Sequence, residues 1–251
     1  SHRNMIINGA MMVAQRAIYA AADTGAATGA YISPDRWELY NNTVAHLVVR
    51  VGDGPDGTEA SNTFNDAFKY SYKFESDGAV TPASGDFIFL SYKFEGQDLQ
   101  HLAKGTANAK AITLSFWVKA YQTGTYQVNI QDNDNNRIIG ATYAISSSAT
   151  WEKKTITFAG DTSTSGASSG TFDYDVNLSA TIEWFLASGS SYSSGAVPTS
   201  WESHAGGTPD RNAGGTVNTA SADGNYWQIT GVQLELGSNA TPFEHRTFTE
   251  E

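Results

Sequence analysis

Acidic side chains in predicted strands are the first residues whose chemistry can be tested. An all-β glycoside hydrolase uses two carboxylates about 5–9 Å apart across the scissile bond, and residues i, i+2 and i+4 of a strand share a face. Glu183 is the only acid in the segment 182–186, and Glu235 stands alone between two leucines. Asp173 and Asp175 share a face, with no glutamate near them in the sequence. These positions predict no catalytic pair.

Other catalytic patterns are not indicated either. The sequence has no cysteine, which excludes thiol nucleophiles and zinc–thiolate sites. Its five histidines show no metal-ligand spacing, and neither H-E-x-x-H nor G-x-S-x-G occurs. The glycine-rich runs 52–57 and 206–215 precede no helical pattern, so a phosphate-binding loop is not supported. We therefore predict that the chain is not an enzyme and has no catalytic residues.

An oxygen-rich segment at 132–136 is a candidate for a metal site. Asp132, Asp134 and Asn136 place oxygen ligands at alternate positions, as calcium sites do. The segment lacks the mid-loop glycine and the distal glutamate of an EF-hand. Asn and Asp also favour β-hairpin turns. The alternatives are a Ca²⁺ site, the only cofactor considered, and a hairpin turn, which is favoured.

Aromatic residues on the outward side of predicted strands indicate a binding surface. Trp117 alternates with apolar neighbours, and Phe185 shares its outward face with Glu183. Sugars are bound by aromatic faces, with amide and carboxylate groups meeting the hydroxyls. A long loop or another subunit is the alternative cover for such rings. The predicted carbohydrate contacts are Trp117, Phe185 and Glu183 on a sheet face, and Tyr192 and Trp201, with His204, on a loop rim.

Period-two alternation dominates the chain and predicts the elements that must position these residues. Short connections between the alternating segments imply antiparallel pairing, and half-buried alternation on about ten strands implies two sheets packed face to face. The predicted fold class is all-β, a two-sheet antiparallel β-sandwich of the jelly-roll type. Residues 11–22 are predicted to be extended or irregular, with a short helix as the alternative. The predicted strands are residues 46–51, 68–74, 87–94, 112–120, 125–131, 137–145, 151–158, 176–187 and 226–236.

The length of the chain, its net charge and its long loops indicate how many domains it has and which binding partners it disfavours. The 251 residues fit one sandwich, so we predict a single domain over 1–251, in which residues 1–2 read as a tag remnant. Loops at 159–170 and 188–225 are long enough to be functional. The 15 basic and 26 acidic residues give a net charge of −11, which disfavours nucleic acid and anionic membranes as partners.

Several motifs in this sequence resemble those of known families. The pair ITLSFWVKA at 112–120 and ATWEKKTITF at 149–158 is similar to the middle of jelly-roll carbohydrate-binding modules. A longer set resembles a family of bacteriophage virion structural and tail-fibre proteins, and it covers nearly the whole chain. That set comprises residues 4–16, 34–39, 94–104, 105–109, Trp201 and 227–246.

The resemblance implies a non-enzymatic domain of a phage virion or tail fibre that binds host cell-surface carbohydrate. It brings no catalytic residues. It also implies other virion proteins as partners, a homotrimer as the fibre assembly, and the phage particle as the location. It allows the chain to be one domain of a longer fibre protein. The alternatives are a structural virion decoration or spacer without a ligand, a polysaccharide depolymerase, and a carbohydrate-binding module detached from its enzyme.

Overall fold

A computed structural model describes residues 3–15, 19–23, 27–30, 34–43, 46–164, 170–204 and 209–247. Within these ranges the chain is almost entirely β-structure, with a 3-10 helix at Gly96–Leu102 and one short helix, α1, at Ser190–Ser193. No helix among these residues has the length and apolarity needed to span a membrane. The strands are β1 Tyr19–Asp23, β2 Ala27–Ala30, β3 Trp37–Asn41, β4 His46–Val51, β5 Ser71–Ser76, β6 Phe87–Glu95, β7 Ile112–Ala120, β8 Gly124–Asp132, β9 Arg137–Ile145, β10 Glu152–Phe158, β11 Leu178–Ser188, β12 Glu202–Ser203 and β13 Tyr226–Leu236.

The strands form two sheets in which every pair is antiparallel. The first has six strands in the order β1-β4-β5-β13-β7-β10, and the second has seven in the order β12-β9-β8-β11-β6-β3-β2. The predicted β-sandwich is therefore confirmed. Non-consecutive neighbours such as β11 and β6 arise because the chain passes repeatedly from one sheet to the other.

The core lies between the two sheets and is rich in aromatic rings. Trp184 of β11 meets Phe116 of β7 edge to face, with ring centroids 5.9 Å apart, and Tyr143 of β9 meets the same phenylalanine at 5.1 Å. Such edge-to-face contacts stabilise a core beyond the area that they bury. Trp37 and Trp227 are fully buried and pack in this interior.

Two of the segments that the sequence pattern addressed differ from the prediction in detail. The strand expected at 68–74 begins only at Ser71, because the backbone N–H of Phe68 binds the carbonyl oxygen of Pro55 at 2.8 Å. Phe68 therefore leaves the face that it was expected to share with Tyr72 and lies outside the sandwich. In the segment 11–22, residues 11–15 are irregular and a strand begins at Tyr19, whereas residues 16–18 lie outside the described part.

Candidate carbohydrate-binding face

On the outer face of the seven-stranded sheet, side chains form two adjacent rows that run across the strands, and we call each row a rank. Strand pairing aligns Tyr40 of β3 with Phe89 of β6 and Phe185 of β11. One step along the strands, Glu38 and Glu183 both align with Ser91 of β6. Neighbouring strands lie about 4.8 Å apart, so the members of each rank are direct neighbours. The sheet thus brings an aromatic rank beside a carboxylate rank.

The aromatic rank is a continuous stack. The ring centroids of Tyr40 and Phe89 are 4.8 Å apart with nearly parallel planes, and those of Phe89 and Phe185 are 4.9 Å apart. Tyr192, on α1, meets the ring of Phe87 edge to face at 5.4 Å. Phe185 is only 1% exposed, whereas Tyr40, Phe87 and Tyr192 are partly exposed. These three rings, and not Phe185, present aromatic surface to solvent.

Arg211 lies over the stack and is held there by Glu183. Its guanidinium carbon is 4.9 Å from the ring centroid of Phe89 and 5.3 Å from that of Phe185, within the range of cation–π contacts. Its Nε and Nη2 atoms donate to the two carboxylate oxygens of Glu183 at 3.0 and 2.5 Å. Gln131 donates a further hydrogen bond to Glu183 at 2.8 Å. The carboxylate is therefore oriented by a bidentate ion pair and an amide.

A second ion pair fixes the other end of the carboxylate rank. The ammonium of Lys93 lies 2.6 Å from a carboxylate oxygen of Glu38, and the hydroxyl of Tyr40 donates to the same oxygen at 2.9 Å. Burial lowers the pKa of Lys93, but its contacts with Glu38 and Tyr40 outweigh that effect and raise the pKa above its ordinary value. Burial also raises the pKa of the Tyr40 hydroxyl. Lys93 therefore stays charged and paired at neutral pH.

The loop between β11 and β13 closes one half of this face and leaves the other half open. Gln127 and Asn129 of β8 donate hydrogen bonds to the carbonyl oxygens of Asp210 and Arg211 at 2.7 and 2.6 Å. Gly140 of β9 donates its backbone N–H to the carbonyl oxygen of Pro198 at 2.7 Å. The loop thus covers β8 and β9, and it positions Arg211 along one side of the part of the face that stays open.

An open depression of about 350 Å³ remains on this face, and we call it the sheet-face depression. Its volume falls in the range of small-molecule sites, about 300–1,000 Å³. Its lining combines partly exposed rings with amide, hydroxyl and charged groups. The lining residues are Tyr40, Phe87, Phe89, Ser91, Lys93, Gln131, Asn133, Leu178, Thr181, Glu183, Tyr192 and Arg211.

Two of the five predicted contact residues, Glu183 and Tyr192, line this depression. Phe185 does not line it, because its ring is 1% exposed and lies beneath Arg211. His204, the other rim candidate, has its ring nitrogen 3.5 Å from a carboxylate oxygen of Asp210. The long loop was expected to contribute a rim, and it does so through α1 and Arg211.

The outer-face assignment of Trp117 needs a correction. Its side chain does project from the outer face of the six-stranded sheet, but it is only 1% exposed. It packs in a cluster with Phe68, Trp151 and Phe243, which the chain lays across that sheet. A ring covered in this way offers no face to a sugar, so we reassign Trp117 to packing.

Trp201 lies apart from the depression as well. Its ring nitrogen donates to the carbonyl oxygen of Ala159 at 2.7 Å, and the ammonium of Lys104 is 5.6 Å from its ring centroid. The side chain is packed against the end of the core. Trp201 therefore joins loops at the end of the sandwich and is not part of the sheet-face depression.

Two of the three residues of the predicted calcium site have protein partners, and the third is exposed. The carboxylate of Asp132 is fully buried and pairs with the ammonium of Lys104, while Asp134 accepts the backbone N–H of Asp173 at 3.0 Å. Asn136 is exposed and has a left-handed backbone, φ 50°. The described residues contain no group of three or more His, Cys, Asp or Glu side chains suited to a metal. The segment is a hairpin turn between β8 and β9.

Sequence reasoning missed several residues in and beside the depression. Glu38 and Tyr40 alternate with the buried Trp37 and Leu39 in a strand of only five residues, and that alternation was a usable signal. Arg211 follows no periodicity, because it lies in the loop and is placed by hydrogen bonds from β8. Long-range placement of this kind leaves no trace in the local pattern.

The structure also brings together two carboxylates that the sequence scan did not pair. Glu38 and Glu183 lie two strands apart in one rank, with backbones about 10 Å apart. Each is bound to its own cation, Lys93 or Arg211. These two ion pairs hold the charged groups of the sheet face in fixed positions.

Comparison by sequence finds no matching protein family and no similar curated protein. Comparison of structures finds solved proteins of low similarity. The chain resembles the enzymatically active domain of tailspike protein 4 of bacteriophage CBA120, with a TM-score of 0.44 and 13% identity over 93% of this chain. It spans only 21% of the length of that tailspike structure.

Two carbohydrate-binding modules show similar values. The family 11 module of a cellulosomal cellulase of Clostridium thermocellum has a TM-score of 0.38 and 11% identity, covering 88% of this chain and 99% of the module. The xylan-binding module CBM22-1 of Paenibacillus barcinonensis has a TM-score of 0.35 and 10% identity, covering 88% and 98%. All these TM-scores lie below 0.5, so we take neither a ligand nor a site from them.

Proposed function

We propose that this chain is a carbohydrate-binding domain whose ligand occupies the sheet-face depression. The observation that carries the proposal is the combination of partly exposed rings, Tyr192, Phe87 and Tyr40, with oriented polar groups on one open sheet face. Apolar C–H faces of a pyranose stack on such rings, and amides and charged groups meet its hydroxyls. The depression offers both kinds of contact within two adjacent ranks.

The hydrogen-bonding groups are already held in place before a ligand arrives. Glu183 is fixed by Arg211 and Gln131, and Lys93 is fixed by Glu38. Groups that are ordered in advance lose little entropy on binding. Glu183 and Lys93 can accept from and donate to sugar hydroxyls while keeping these partners, because carboxylates and ammonium groups have several bonding directions.

A glycan array tests this proposal first, with and without added Ca²⁺. For a glycan that binds, the variant Tyr192→Ala is expected to weaken binding about tenfold or more, the loss expected when about 1.4 kcal/mol of contact is removed. The matched control is Phe64→Ala. Phe64 is a 38% exposed ring beside Lys153 of β10, in the other sheet, and its removal should leave binding unchanged. Equal losses in both variants would contradict the assignment of the site.

We further propose that the domain acts on a phage particle, in a tail fibre or a related structure, where it binds host-surface glycan. The support is the resemblance of the motifs at 4–16, 34–39 and 227–246. A homotrimer, assembled with other virion proteins, would turn a weak sugar contact into useful avidity. Light scattering after size-exclusion chromatography tests the trimer, and a strict monomer at high concentration would count against trimerisation of this domain.

A structural spacer without a ligand is the second candidate function. The observation that favours it is the cover over two predicted contact residues, since Trp117 and Phe185 are each 1% exposed and covered by the chain itself. The absence of binding to any glycan on a broad array, together with no binding to candidate host cells, would support the spacer function.

A further inference from the structure

A second cleft lies at the end of the sandwich, where the turn between β7 and β8 passes from one sheet to the other. Tyr121 in this turn is 56% exposed, and the ring of Tyr226 lies 6.3 Å from it. The cleft has a volume of about 430 Å³ and is lined by residues 121–123, residues 216–218 and Ser221. We call it the rim cleft. None of its lining residues belongs to the sheet-face depression.

Both walls of the rim cleft are tied together. The backbone N–H of Thr216 donates to the carbonyl oxygen of Thr125 at 2.8 Å, and that of Thr125 donates to the hydroxyl of Thr216 at 3.1 Å. Gln122 donates from its side-chain amide to the hydroxyl of Ser221 at 2.6 Å. Gly124 has φ +142°, and a Cβ atom there would lie 2.6 Å from a methyl carbon of Val217. The cleft is therefore a preformed feature of the fold.

The chemistry of the lining selects a class of ligand. The described residues around the cleft include a tyrosine, a glutamine, an asparagine and three hydroxyl residues, and no charged side chain. The side-chain amide of Gln122 and the hydroxyl of Ser221, joined by their hydrogen bond, line the cleft together with the exposed ring of Tyr121. A ring face with uncharged donors and acceptors matches a neutral saccharide and not an anion or a cation.

We propose that the rim cleft is a second saccharide-binding site, separate from the sheet-face depression, for an uncharged pyranose. The C–H face of the sugar stacks on the ring of Tyr121, and its hydroxyls reach Gln122, Thr123 and Ser221. Two sites on one chain can engage two points of the same glycan surface, which raises the overall affinity without new contacts.

Nuclear magnetic resonance titration of the whole chain tests the rim cleft. The probes are neutral tetrasaccharides of β-1,3-linked glucose, β-1,4-linked glucose and β-1,4-linked galactose, each added to about 10 mM so that weak, millimolar sites are occupied. The expected result with at least one probe is a shift of the backbone and side-chain amide signals of Gln122 and Asn218. Tyr121→Ala is expected to weaken that response about tenfold or more, whereas Tyr121→Phe retains it because the ring face remains.

The variant Tyr192→Ala separates the two sites. It should leave the response of Gln122 and Asn218 unchanged, even if it abolishes binding at the sheet-face depression. Shifts confined to the depression would overturn the rim cleft and leave the proposed function standing. Shifts confined to the rim cleft would support it and overturn the sheet-face assignment. Absence of any shift at residues 121–123 and 216–221 with all probes, or an undiminished response in Tyr121→Ala, would overturn the inference.

Discussion

Replacing Lys104 with methionine should strongly destabilise the fold, because this lysine compensates two buried carboxylates. Its ammonium pairs with Asp132 and lies 3.2 Å from a carboxylate oxygen of Asp161. The side chains of Lys104, Asp132 and Asp161 are exposed by only 4%, 0% and 2%. Arg137 neutralises Asp161 at 2.6 Å, and the cluster therefore holds two cations and two anions. Methionine keeps the volume and removes one positive charge.

The expected magnitude follows from which carboxylate loses its cation. Asp161 keeps Arg137. Among the described residues, Asp132 keeps the backbone and side-chain amide donors of Asn135. Breaking a buried ion pair by removing one partner costs about 3–5 kcal/mol. That is a large share of a total stability of about 5–15 kcal/mol. For a chain of this length it corresponds to a fall in the melting temperature of about 6–20 °C.

Urea denaturation followed by tryptophan fluorescence measures this effect. The matched control is Lys110→Met, because Lys110 is an exposed lysine of the same loop region and should change the stability by no more than about 0.5 kcal/mol. The double variant Lys104→Met, Asp132→Asn removes the uncompensated charge and should recover much of the loss. A Lys104→Met variant as stable as the control, or a double variant less stable than the single one, would refute the reasoning.

The remaining predictions concern the sheet face and the response to acid. Arg211→Gln should lower the free energy of unfolding by up to about 3–5 kcal/mol, because Glu183 loses a buried cation. Arg211→Lys should recover only part of this loss, since the bidentate geometry is lost. Urea denaturation measures both variants, and full stability in Arg211→Lys would contradict the reasoning. Burial raises the pKa of Glu152, but Lys154 and backbone N–H groups outweigh it and hold the pKa below 4.5, so its stabilisation is present above that pH and is lost as the pH falls through the folded value. Glu152→Gln should therefore show a shallower loss of stability in acid than the native chain, and parallel profiles would contradict this. Gly189→Ala should lower the free energy of unfolding by about 1–3 kcal/mol, because a Cβ atom there would lie 1.7 Å from a backbone carbonyl oxygen. An unchanged midpoint of urea denaturation would contradict this and would show that the loop before α1 moves to make room for the methyl group.

Strands with long alternating patterns were predictable from the sequence. The strands β7 and β9 occupy the same residues that the pattern predicts, because each alternates over nine residues with one face in the core. The strands β1, β2, β3 and β12 were not predicted, since they are short and most of their pairing depends on neighbours distant in sequence. Length of the alternating pattern therefore decided which strands could be predicted.

For the site, the sheet face to which a side chain points was predictable from the sequence, but the residues that pack over that side chain were not. Trp117 and Phe185 were both expected to point outward from their sheets, and both do. What covers each ring depends on distant segments, with Phe68 and Phe243 over Trp117 and Arg211 over Phe185. Burial of an outward side chain is a tertiary property, so strand periodicity alone could not distinguish a sugar platform from a packing residue.

The ion pairs on the sheet face bear on the choice between a binding domain and a spacer. A buried ion pair is often no more stabilising than a hydrophobic replacement of similar volume. A spacer would therefore gain little stability from the buried pair Arg211–Glu183 or from the partly exposed pair Lys93–Glu38, and could fill the same positions with apolar residues. A binding surface needs polar groups that face the open depression and keep their orientation without a ligand, and these two pairs provide them beside Tyr40 and Tyr192. The combination of partly exposed rings with fixed charges is thus better explained by recognition of a polyhydroxylated ligand than by packing alone.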